Sequence, residues 1–154
     1  MRSFTTTSAL LLMFFSFLFY TTASYGSPCS SGQKYLAQFN SCVELEWDDT
    51  PHLYTKSNSS EGRARLIFRD PATQKEQWVG KKIKAHLWMS LCETGKPHGS
   101  SPIKITTETN IFGNLKVGRF VLSKIYFLMN GVWELHVNVS DENTTEEVIF
   151  HQFI

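Results

Sequence analysis

The sequence predicts an all-β domain of two antiparallel sheets packed face to face. Three observations carry this expectation. Short runs alternate apolar and polar residues, Gly/Pro/Asn/Asp/Ser clusters fall between them, and no capped 3.6-residue period follows the N-terminal leader. A period of two marks a strand with one face toward a core and one toward water, so each run needs a second sheet to cover its apolar side.

Residues 1–26 stand apart from this pattern. Arg2 is their only charge, "ALLLMFFSFLFY" (9–20) is apolar, and "TTASYG" follows with small residues. That order reads as a secretory signal peptide cut after Ser24 or Gly26. The apolar run is short of the roughly 20 residues that cross a bilayer, and an uncleaved anchor is the alternative. Residues 27–41, "SPCSSGQKYLAQFNS", are polar and aperiodic and are expected to form an N-terminal arm.

The strands come next, within 42–154. In "CVELEWD" Val43, Leu45 and Trp47 share a face, and in "RARLIFRD" Ala64, Leu66 and Phe68 do. "KIKAHLWM" sets Ile83, Ala85, Leu87 and Met89 against Lys82, Lys84, His86 and Trp88. "IKIT" (103–106) and "FVLSKIYF" (120–127) follow. In "VWELHVNV" Trp133, Leu135, Val137 and Val139 oppose Glu134, His136 and Asn138, and "EVIFHQFI" (147–154) closes the chain. Turn chemistry lies between them in "DDTPH", "SNSSEG", "RDPATQ", "KPHGSSP", "MNG" and "SDEN". About seven strands in some 128 residues make a β-sandwich of immunoglobulin-like size with a single core.

Charge excludes one partner class. Without Arg2 the fifteen basic residues become fourteen, against fourteen acidic ones, and "GKKIK" (80–84) is the only basic cluster. A nucleic-acid partner would call for a clustered basic excess. A membrane partner is expected only if residues 1–26 stay uncut. Cys29, Cys42 and Cys92 all follow the leader, and an exported chain can oxidise them. Cys29–Cys42 is the favoured disulfide because it closes a short loop; the other two pairings stay open.

The stretch "LWMSLCETGKPHGSSP" (87–102) interrupts the alternation and carries a thioether, a thiol and an imidazole in Met89, Cys92 and His98. Soft sulfur donors favour Cu(I), and imidazole accepts copper in either oxidation state. Met129, in the hairpin-like turn of "YFLMNGVWEL", is the fourth candidate, and His52 a weaker one. The same residues have plainer roles open to them. Methionines fill core gaps at strand ends, Cys92 suits a disulfide or a buried site, and His98 suits an exposed loop. His86 and His136, on polar strand faces, read as surface residues. Asp48 and Asp49 are adjacent and point oppositely on a strand, so they make no acid/base pair; no nucleophile elbow occurs. "NSS" at Asn58, "NVS" at Asn138 and "NTT" at Asn143 are glycan acceptors only in a eukaryotic secretory route.

Taken together, "CVELEWDDTPH", "ARLIFRD", "LWMSLCETGKPHGSSPIKIT" and "IYFLMNGVWELHVNV" resemble the YtkA/FixH-like family of bacterial exported domains over roughly residues 42–140. "LWM", "HGSSPI" and "FLMNGVWEL" follow that family's loop and strand pattern in order. The resemblance implies an immunoglobulin-like sandwich and a link to copper-handling or respiratory-oxidase machinery. It implies copper ligation by Met89, His98 and Met129, with Trp88 and Trp133 packing alongside. Cys92 stands near the family's second loop Met, and "ETGKP" is an insertion before His98. The expectation is therefore an exported (periplasmic, secreted or membrane-anchored) non-enzymatic domain binding copper through Met89, Cys92, His98 and Met129. The alternative is a metal-free protein-binding module of the cell envelope.

Overall fold

The computed structural model describes residues 27–55, 61–78, 82–89, 98–99 and 101–154. The expected signal segment (1–26) and Cys92 lie outside the described residues. Among those described there are nine strands and no helix. They are β1 (Lys34–Leu36), β2 (Ser41–Trp47), β3 (Gly62–Arg69), β4 (Lys82–Met89), β5 (His98–Gly99), β6 (Lys104–Thr109), β7 (Leu115–Ile125), β8 (Val132–Ser140) and β9 (Thr145–Phe153). One sheet runs β1-β2-β3-β7-β6 and the other β5-β4-β8-β9, every ladder antiparallel.

Lettered in chain order from β2 as A, with the two-residue β5 left aside, these sheets are A-B-E-D and C-F-G. That is the immunoglobulin strand plan, extended at the edges by β1 and β5. The predicted alternation holds where the sheets face each other. Val43, Ala64, Leu66, Phe68, Leu87, Leu122, Leu135, Val137 and Val139 are buried in one cluster. Ile67 is buried against the alternation, flanked across its two ladders by Glu44 and Arg119, whose partners Arg69 and Glu76 fold over this face. Long charged side chains cover apolar surface with their stems in this way.

The N-terminal arm is ordered. Leu36 of β1 is fully buried, and the Cys29–Cys42 disulfide closes with a Cα–Cα distance of 5.5 Å. The bond fits an oxidising, exported setting. Beyond β1, the backbone N–H groups of Ala37 and Gln38 each donate at 2.8 Å to the Glu146 carboxylate, tying the first sheet to β9 of the second.

Residues 126–131 depart from the hairpin-like turn expected of them. β7 ends at Ile125, where Lys124 has φ 60°, and the chain crosses to the other sheet before β8 begins. Phe127 makes only an isolated parallel bridge to Leu53, and its ring packs against Trp47 and Trp133 at 5.7 and 5.8 Å.

Candidate metal centre

The ladders fix two ends and one open face of the sandwich. One end gathers the close of β4, the start of β5 and the turn before β8. His98 is the register partner of Met89. Met89 is fully buried within the core cluster, and Met129 packs partly buried against it. A methyl placed on Gly131 would lie 2.7 Å from Met89 Cε, so the thioether reaches under the turn that carries Met129. Trp133 Nε1–H donates to the Met129 carbonyl at 2.9 Å, fixing that turn. Three of the four predicted ligands thus sit at one end, with Met89 in a packing role. His52 has its Nδ1 3.2 Å from the Thr50 carbonyl.

A different group converges on the solvent face of the second sheet. The β4–β8 register sets His86 directly opposite His136, and the imidazoles stack with centroids 4.7 Å apart and planes 17° from parallel. On β9, Glu147 is the partner of Asn138, one diagonal step from His136. Its Oε1 lies 3.3 Å from His136 Nδ1 and accepts from Asn138 Nδ2 at 2.9 Å. Behind the same imidazole, Glu134 Oε2 lies 3.2 Å from His136 Nε2, and Glu134 Oε1 lies 4.0 Å from His151 Nδ1.

The donor atoms of His86, His136 and Glu147 all lie within 4.8 Å of one another, the one such group among the described residues. Metal–donor bonds of about 2.0–2.1 Å put tetrahedral ligands about 3.4 Å apart. The His136–Glu147 separation already matches that edge. His86 is exposed, and closing from the 4.8 Å bound to that edge takes at most about 1.4 Å of movement. Glu134 supplies the supporting contact. With the Nε2 proton directed at Glu134, the lone pair of His136 Nδ1 faces Glu147, the carboxylate–histidine pairing that orients metal-bound imidazoles. Two imidazoles and one carboxylate suit Zn²⁺, Cu²⁺ or Ni²⁺, and three protein ligands leave a position open to solvent.

Among the described residues the first sheet's outer face offers no comparable arrangement. Its cleft of about 310 Å³ is lined by Asp48, Arg63, Arg65 and Glu108 among others. Arg65 lies 2.8 Å from Asp48, and Lys116 lies 2.6 Å from Glu108, so the carboxylates are matched by cations already present.

His86 and His136 escaped the sequence reading because each stands alone in its strand. Only the pairing of "KIKAHLWM" with "VWELHVNV" brings them together. The available signal was that both strands carry histidine at an outward position flanked two residues away by charge or amide, at Lys84, Glu134 and Asn138. No protein-family model matches this chain, and neither a curated protein nor a solved structure matches it.

Proposed function

We propose that this chain is an exported, non-catalytic β-sandwich domain that binds a transition-metal ion on its β4–β8–β9 face through His86, His136 and Glu147. The observation that carries the reading is His136, with one ring nitrogen backed by Glu134, the other facing Glu147, and His86 stacked on its ring. Among divalent ions a site of nitrogen and oxygen donors holds Cu²⁺ most tightly, so copper is the favoured cargo. The open position suits exchange with a copper-handling or oxidase-assembly partner that lends the fourth ligand.

A second copper reading places Cu(I) at the strand end through Met89, Cys92, His98 and Met129. The register pairing of Met89 with His98 and the approach of Met89 to Gly131 favour it. The two separate by oxidation state. Titration of residues 27–154 with Cu²⁺ should retain about one equivalent with nitrogen hyperfine structure in the electron paramagnetic resonance spectrum. His136→Gln should weaken it at least about tenfold, in the range seen when a ligand or its supporting partner is lost. Met129→Leu should leave Cu²⁺ binding unchanged. Cu(I) retention that survives His136→Gln and fails in Met129→Leu would move the site to the strand end. Retention of neither ion would make the domain a metal-free binding module.

A further inference from the structure

The β6–β7 hairpin carries an apolar tip. Ile111 is 93% exposed and Phe112 81%, with Leu115 and Val117 also exposed behind them on β7. The tip is built as a rigid turn. Asn110 Oδ1 accepts from the backbone N–H groups of Phe112 and Asn114, at 2.9 and 3.0 Å. The Asn110 and Asn114 backbones bond at 2.8 Å, and Gly113 takes φ 79°. Large apolar side chains pushed into water on a braced turn are the reverse of what folding favours, and such patches mark contact surfaces.

The ladders show which end of the sandwich this is. β7 starts beside the end of β3, where Ile67 pairs with Arg119, and β3 ends at Arg69 opposite Cys42. Cys42 holds Cys29 by the disulfide, and Ser30 Oγ donates to Gln74 in the turn that follows β3. The chain therefore enters the fold at the same end as the hairpin tip. Immediately ahead of that entry the sequence carries the apolar run 9–20, which holds this end at a membrane for as long as it stays uncut.

We propose that this end of the domain faces a lipid bilayer, with Ile111 and Phe112 inserting into its interfacial region. The turn bonds keep the backbone N–H groups of Phe112, Gly113 and Asn114 paired while the two side chains leave water, which lowers the cost of bringing the tip to the interface. The metal-binding face is formed by the middle of the second sheet and stays in solvent when the tip is seated.

Flotation of residues 27–154, which contain every strand described above, with vesicles of equal parts phosphatidylethanolamine and phosphatidylglycerol tests this. The parent domain should float with the vesicles. The double substitution Ile111→Ser with Phe112→Ser should reduce the vesicle-bound to free ratio at least about tenfold, with the thermal midpoint unchanged because neither side chain packs. Phe112→Trp should retain binding, since Trp suits the interface. Leu128→Ser, at a half-exposed apolar position at the far end beside Tyr54 and Tyr126, should retain it too. A parent domain that stays off vesicles, a serine variant that floats as well as the parent, or a tip captured only by a soluble protein overturns the proposal.

Discussion

Gly118 supports the sharpest test of the packing. The residue lies in β7 where the return segment 75–77 crosses, with Gln77 N–H donating to the Phe68 carbonyl and Glu76 reaching Arg119. Its φ is 70°, and an added methyl would meet the Gln77 carbonyl oxygen at 2.3 Å and that of Phe68 at 2.9 Å. Both obstacles are backbone, so no side-chain rotation relieves them. Gly118→Ala should therefore cost about 1–2 kcal/mol for the left-handed backbone and about 1–3 kcal/mol for the forced displacement. The total, about 2–5 kcal/mol, is a large part of the 5–15 kcal/mol typical of a domain. Gly113→Ala is the matched control, because its φ is 79° and nothing lies within 4 Å of the added methyl. Urea unfolding of both variants should show the Gly118 midpoint falling further by on the order of 1–2 M, with similar slopes. Equal midpoints would refute the claim that the return segment lies against β7.

Two further outcomes follow from the arm and its neighbouring charges. Cys29→Ala removes a bond closing a separation of 13 residues, which the loop-entropy relation values at about 3 kcal/mol, and reduction of the parent should reproduce that loss in a urea titration. Glu76 is held below the ordinary glutamate value of 4.5, first by the hydrogen bond from Arg119. A depressed carboxylate contributes stability that is full above pH 4.5 and lost as pH falls through the folded-state value. Stability measured against pH should thus decline below 4.5 in the parent and lose part of that slope in Glu76→Gln; identical slopes would exclude the pair as a contributor.

The strands were legible because burial on one face leaves a two-residue rhythm that needs no knowledge of partners. β8 shows it best, with Trp133, Leu135, Val137 and Val139 all buried. β1 and β5 left no such trace, since three and two residues hold no period. The crossing near Phe127 left a faint trace. In "FVLSKIYF" the buried phase passes from Phe120 and Leu122 to Ile125 and Phe127 across Ser123 and Lys124, where the left-handed backbone at Lys124 breaks the alternation and β7 ends at Ile125. Met89 shows the limit for chemistry. Its spacing from Cys92 and His98 is visible, but its full burial depends on what packs above it. The histidine pair depends on register, which is a relation between strands and is written in neither one.

That relation has a consequence for how the domain matures. Sliding β4 along β8 by a single residue would turn every β4 side chain to the opposite side, sending His86 inward and Lys84 with it. A bound ion bridging the two strands would hold them in step from the outside, much as a rivet fixes two laths that hydrogen bonds alone allow to creep. Loading of the proposed site with metal would then read out the correct register of β4 on β8.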